Sequence, residues 1–170
     1  MSEAAHTPKL RFSEFSGDWE ETNFGNISTI RRGASPRPIS NPKWFDSNSS
    51  IGWVRISDVT KSKKYLKKTE QYLSSEGVTK SRLVSKDNLI MSICATIGKP
   101  IYTGFDVCIH DGFVVFDSIL EDKWFIYYLL EKIQKKWYRY GQLGAQVNLN
   151  SDIVSLEVFR IPAKTEQQKI

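Results

Sequence analysis

Cysteine and histidine are scarce in this chain of 170 residues, which has two of each. Cys94 and Cys108 lie in apolar runs without CxxC spacing, the setting of buried, reduced thiols in a cytosolic protein. A zinc site would need more ligands than these cysteines and the distant His6 and His110 supply. No apolar run approaches the roughly 20 residues of a bilayer-spanning helix. Residues 1–11 lack the apolar core of an export signal. A cytoplasmic location without membrane contact is expected. Catalytic signatures are missing too: there is no Walker loop, no GxGxxG after a strand, no nucleophile elbow and no HExxH. Asn41-Pro42 lacks the aromatic continuation of an (Asp/Asn)-Pro-Pro-(Tyr/Phe) amino-methyltransferase motif. No pair of acids has the spacing of a metal or acid–base site, and His110-Asp111-Gly112 reads as a turn. The chain is expected to catalyse nothing itself.

What is present is enough for one domain with a real core: 40% of residues are apolar and 12% aromatic. Residues 1–18 are polar and aperiodic, which predicts a flexible N-terminal arm. Phe24, Ile27 and Ile30 share one face of a short helix or bent strand. Residues 31–50 carry Pro36, Pro38 and Pro42 and cannot be a central strand; Trp44 and Phe45 anchor this loop. Residues 51–56, 88–97, 101–109 and 113–116 read as strands, and Ser74 or Ser75 caps a helical turn that Gly77 breaks. The clearest helix spans 121–140, with Ile126, Leu129, Leu130, Ile133 and Trp137 as its apolar stripe. Glu121 and Asp122 at its start, and Lys132, Lys135, Lys136 and Arg139 near its end, complement the dipole. Gly141 stops it. Asn150 or Ser151 caps a further turn, and Leu156, Val158 and Ile161 suggest a last strand. The fold class is α+β: a mixed or antiparallel curled β-sheet packed on one long late helix.

The formal net charge is +5, which favours a polyanionic partner without establishing one. Basic residues gather in loops and at element ends, among aromatics and amides. The candidate contacts are Arg31, Arg32, Arg37 and Lys43 in the proline-rich loop, and Lys61, Lys63 and Lys64 around Tyr65. Lys80 and Arg82 follow a turn, and Arg139, Gln142, Gln146 and Asn148 surround Gly141 and Gly144. Lysine attracts phosphate, arginine forks onto guanine, and amides pair with adenine. The lysine run reads equally well as a solvated face, and residues 142–148 as a structural turn. Trp44, Trp53, Trp124 and Trp137 read as core. An RNA-binding module and a protein-interaction scaffold with no nucleic acid stay open as alternatives to DNA binding.

The order of motifs resembles the specificity (S) subunits of type I restriction–modification enzymes. The lead-in Pro8-Lys9-Leu10-Arg11-Phe12, with Glu14-Phe15, Gly17 and Trp19, is similar to the start of such subunits. Gly33 with Ser35-Pro36, the strand from Trp53 to Asp58, and the run Asp87 to Ser92 with Thr96-Ile97-Gly98 are similar to their middle. Lys86 stands where a glycine is common, and Asn88 where an apolar residue is usual. Tyr127-Tyr128-Leu129-Leu130 matches the late helix, and Pro162 with Glu166-Gln167-Gln168-Lys169-Ile170 matches the close. The resemblance implies one target-recognition domain over residues 19–162, reading half of a bipartite double-stranded DNA site. Residues 163–170 would begin a conserved coiled-coil spacer helix, as in an N-terminal fragment or a half-subunit. The implied partners are methyltransferase (M) subunits with S-adenosylmethionine, which methylate adenine, and a translocase–nuclease (R) subunit with ATP and Mg. No cofactor is implied for this chain.

Overall fold

The computed structural model describes residues 8–140 and 149–170. Strand β1 (Glu20–Asn23) runs into one helical turn, α1 (Phe24–Ile27), and then β2 (Thr29–Arg32). The expected short helix or bent strand is thus strand, turn and strand, with the Asn23 side chain capping α1 by accepting from Asn26 N–H at 2.9 Å. A 3-10 turn at Pro42–Trp44 precedes β3 (Gly52–Val54), α2 (Ile56–Thr60), β4 (Tyr65–Leu66) and β5 (Gln71–Tyr72). Then come α3 (Ser75–Thr79), β6 (Arg82–Val84), β7 (Leu89–Ser92), β8 (Pro100–Thr103), β9 (Val107–Ile109) and β10 (Phe113–Asp117). Ser74 caps α3 as expected, but Gly77 lies inside that helix rather than breaking it. A Cβ there would stand 2.5 Å from the main-chain oxygen of Trp44, so glycine serves close packing, not termination. The late helix divides into α4 (Lys123–Ile133) and a tighter 3-10 stretch, Gln134–Tyr140. Tightening at a helix C-terminus is common. The chain closes with α5 (Ser151–Leu156), β11 (Val158–Ile161) and α6 (Lys164–Gln167); Asn150 caps α5.

The central sheet has the order β2-β10-β7-β8-β4, and a second sheet has the order β5-β3-β9-β6. Most pairs are antiparallel, but β3 with β9 and β4 with β8 are parallel, so both sheets are mixed. The central strands are apolar at successive positions because both faces are covered. Leu89 and Met91 of β7, Tyr102 of β8 and Val114 and Phe116 of β10 face one core, with Ile126, Leu130, Ile133 and Trp137 from the helical stretch. The intervening residues, Ile90, Ile101, Phe113 and Val115, face a second core with Val54, Val84, Val107 and Ile109 of the other sheet. The layers are helix, sheet, sheet. Asp122 starts α4 by accepting from the N–H groups of Trp124 and Phe125, each at 2.9 Å.

Residues 8–18 lie along the end of the chain. Arg11 donates to both carboxylate oxygens of Glu166, at 2.8 and 2.7 Å, and Lys169 pairs with Glu14. Glu166 is buried, and the Arg11 guanidinium holds its carboxyl below the usual range. Buried Gln167 accepts from Asp122 N–H at 3.0 Å and donates to Pro162 O at 2.9 Å and Glu121 at 2.7 Å. Two buried polar residues therefore join the arm, the start of α4 and the end of β11. β1 pairs antiparallel with β11 beside them.

Gly33 follows β2 and donates to Phe113 O at 2.9 Å. A Cβ there would fall 2.0 Å from the main-chain oxygen of His110. Both groups are backbone, so neither can swing away. Gly33→Ala is expected to destabilise the fold by about 3 kcal/mol or more, at or beyond the upper end of overpacking costs, read as a lowered denaturant midpoint. His110 packs between Trp53 and Phe113, with ring centroids 5.8 and 5.0 Å away. Its Nδ1 accepts from Gly112 N–H at 2.9 Å, which requires the unprotonated nitrogen. Burial pushes its pKa down, against the pull of the Asp111 carboxylate. As pH falls below the unfolded value of about 6.5, the unfolded chain takes the proton first. The stability that depends on neutral His110 is complete above that pH and is lost below it. Melting temperatures between pH 7 and 5.5 should fall for the native chain and fall less for His110→Gln.

Candidate nucleic-acid interface

With both faces of the central sheet covered, polar side chains reach solvent from sheet edges, loops and the outer side of the helical stretch. The basic residues named as candidate contacts form three separate groups, while Lys132, Lys135 and Lys136 are exposed on the helical stretch. The first is at the β2 edge. The loop after β2 keeps pairing onto the neighbouring turn, with Ala34 N–H donating to Ile109 O at 3.0 Å. Asp111, in the turn between β9 and β10, organises what sits there. Its carboxylate accepts from the Ser35 hydroxyl at 2.9 Å and from Arg37 at 3.1 Å. Its main-chain oxygen accepts from Arg32 Nε at 2.8 Å. Arg82, on the edge strand β6, donates from Nε to Arg32 O at 3.0 Å. The Ser81 hydroxyl donates to Ala34 O at 2.7 Å. Burial raises the pKa of Asp111, but the Ser35 hydroxyl, a backbone hydrogen bond, Arg37 and His110 outweigh it, so the carboxyl titrates below its ordinary value. Arg37 thus pairs with the Asp111 carboxylate, Arg32 bonds the main-chain oxygen of the same residue, and Arg82 bonds Arg32, so three arginines gather around one acid with an excess of positive charge. Arg31 is apart from them, paired with Asp117.

Around this corner, Lys43 pairs with Glu76 at 2.7 Å and lies 4.2 Å from the Trp44 ring centroid. Lys80 is exposed at the C-cap of α3.

The second group is the lysine loop at the opposite edge, around β4. Lys61, Lys63, Lys64, Lys67 and Lys68 line a groove of about 680 Å³ with Tyr65 and Ser62. Lys61 pairs with Glu70 at 2.7 Å, which raises the lysine pKa and lowers that of the glutamate. Lys64 donates to Tyr128 and lies 5.5 Å from the Trp124 ring centroid. Lys63, Lys67 and Lys68 are exposed. Four strand spacings separate β2 from β4, about 19 Å across the sheet.

The third group is Arg139 alone. It donates to Glu157, which is 2% exposed, and Tyr140 donates to the same carboxylate at 2.8 Å. This arginine neutralises a buried acid. Gln142, Gln146 and Asn148 lie outside the described residues. Sequence reasoning named the arginines but not Asp111 as their hub. Its turn was visible, but the approach of Arg32, Ser35 and Arg37 to it, and of Arg82 to Arg32, depends on long-range pairing. Among the described residues, no cluster of three or more His, Cys, Asp or Glu could hold a metal ion. Also among them, no helix is long and apolar enough to cross a membrane.

A family model described as the type I restriction modification DNA specificity domain matches residues 16–170. Similar solved structures include the HsdS subunit from Thermoanaerobacter tengcongensis, at TM-score 0.69 and 13% identity. The S subunit of a type I restriction–modification system from M. genitalium matches at TM-score 0.64 and 15% identity. A third, from work on complex assembly and conformational transition of the type I R-M system, matches at TM-score 0.71 and 11% identity. The matches cover 92%, 96% and 92% of this chain, respectively, but only 36%, 39% and 37% of those chains. At such identities the likeness shows the fold, and this chain spans well under half the length of each neighbour. The family model rests on the sequence itself and covers nearly all of it, so this chain belongs to the type I restriction modification DNA specificity domain family.

Proposed function

We propose that this chain reads one half of a bipartite double-stranded DNA site and directs adenine methylation and cleavage by partner subunits. The recognition domain spans residues 19–162, with residues 1–18 as an arm and 163–170 as the start of a spacer helix. The chain itself is not catalytic. M subunits supply S-adenosylmethionine chemistry, an R subunit uses ATP and Mg, and the assembly works in the cytoplasm. The observation that carries this reading is the placement of basic groups at two edges of a sheet whose faces are both buried. Arginines gather at one edge, with Lys43 and Lys80 around the same corner, and a run of lysines stands at the other. Lysine suits phosphate, and arginine suits base edges.

The tryptophans favour duplex DNA over unpaired RNA. RNA readers splay bases onto open rings. Here Trp44, Trp53 and Trp137 are buried, and the Trp124 and Tyr128 rings each carry the Lys64 ammonium nearby.

Two measurements test this reading. Replacing Lys63, Lys67 and Lys68 by alanine should weaken binding to all duplexes alike. The slope of log affinity against log salt should flatten by roughly 0.9 for each phosphate that is no longer neutralised. An unchanged slope would remove the lysine loop from the interface. In competition, unlabelled duplex DNA should displace bound duplex far better than single-stranded RNA of the same length and sequence. Equal or stronger displacement by RNA would favour the RNA-binding alternative.

A further inference from the structure

The arginines at the β2 edge differ in how they are held. A guanidinium presents five N–H groups on three nitrogens in one plane. Arg31 uses Nε and NH2 on the carboxylate of Asp117. Arg37 uses NH2 on the carboxylate of Asp111. In both, part of the fork is occupied and an acid offsets its charge. Arg32 and Arg82 are anchored otherwise. Each spends Nε on a main-chain carbonyl: Asp111 O for Arg32 and Arg32 O for Arg82. Among the described residues, neither has a hydrogen bond from NH1 or NH2 to any group. A carbonyl fixes the plane of the guanidinium without cancelling its charge. It leaves the two terminal nitrogens side by side, as a pair of parallel donors.

The two forks are also fixed to each other. The acceptor for Arg82 is the carbonyl of Arg32 itself. That bond joins β6, at the edge of one sheet, to the end of β2, at the edge of the other. Gly33, pressed against His110, holds the Arg32 carbonyl in place from the other side. Separate elements therefore present two arginine forks at a set spacing, with little side-chain freedom left to lose on binding.

We propose that Arg32 and Arg82 are specificity-determining residues, each donating from NH1 and NH2 to O6 and N7 of a guanine in the major groove. Arg31 and Arg37 instead tie β2 and the loop after it to Asp117 and Asp111. This rests on the proposed reading of duplex DNA and names the base chemistry of that site. Parallel donors match the acceptor pair of guanine, and only guanine shows two acceptors there.

The test is selection of duplexes from a random pool by the full chain at low salt, followed by affinity measurements on the selected site. The native chain should select guanines. Arg32→Ala and Arg82→Ala should each erase one guanine preference and weaken that site by roughly ten- to hundred-fold. Lysine at either position restores the charge without the carbonyl-anchored fork, so it should recover the preference only in part. Placing 7-deazaguanine, which lacks N7, at the same position should weaken the native chain and leave the matching alanine variant unmoved. That arm needs no variant to fold differently, and melting curves check the variants. If the alanine variants keep the guanines and lose affinity equally on every sequence, these arginines bind phosphate. The inference is then overturned while the duplex reading stands. If the native chain selects no motif, the duplex reading fails, and this assignment with it.

Discussion

Burial of the central sheet on both faces is the constraint from which the rest of the architecture follows. Leu89, Ile90 and Met91 are consecutive and all fully buried, as are Phe113, Val114, Val115 and Phe116 to within 1%. A strand turns successive side chains to opposite sides. Such runs therefore demand a cover on each side. The helical stretch from Lys123 to Tyr140 covers one side and the second sheet covers the other. Once both faces are used, neither face of the central sheet is left for a ligand. Polar side chains that reach past that sheet come from its edges, the loops and the outer side of the helix layer, and Arg32, Arg82 and the lysines around β4 stand at edges and loops.

The closing residues hold the helix layer down. Glu166 and Gln167 are each 2% exposed, and a buried polar group is costly unless it is hydrogen-bonded. Glu166 is satisfied by both carboxylate contacts of Arg11. The Gln167 amide uses its oxygen on Asp122 N–H and its nitrogen on Pro162 O and Glu121. The Asp122 side chain in turn begins α4. A buried ion pair adds little net stability over a well-packed apolar pair, and its attested use is to fix register. Here the register is that of residues 8–18, α4 and the end of β11 relative to one another. The Glu-Gln pair near the end is thus the joint on which the covering layer hangs.

Much of this is legible locally. Helical spacing from Ile126 to Trp137 marks the core stripe, continuous apolar runs mark β7 and β10, and Ser74 and Asn150 mark helix starts. Each rests on neighbours within a few residues. Gly77 reads as a breaker from its neighbours alone because its actual reason, the carbonyl of Trp44, comes from another part of the chain. The site follows the same division. That arginines and lysines stand in loops is visible from their spacing. That Arg139 faces a buried glutamate, and that Arg32 and Arg37 share Asp111, is not. Those partners are 18, 79 and 74 residues away, and only strand order brings them near.

The separation of the basic groups bears on how a duplex would lie. A major groove is about 12 Å wide, whereas the β2 and β4 edges stand about 19 Å apart across the sheet. The whole sheet edge-on cannot enter one groove, but a corner can. With the arginine corner in the groove, the lysine edge falls outside it, over the phosphate backbone. The anchoring of the side chains agrees with that division. At the corner, Arg32 and Arg82 are each anchored by one Nε hydrogen bond to a main-chain carbonyl, which suits reading a base of fixed geometry. At the lysine edge, Lys63, Lys67 and Lys68 are exposed on flexible stems, which suits a phosphate that can be approached from many directions. On the proposed reading, residue type, anchoring and distance from the corner would all divide the roles in the same way: the carbonyl-anchored arginines to sequence and the exposed lysines to register.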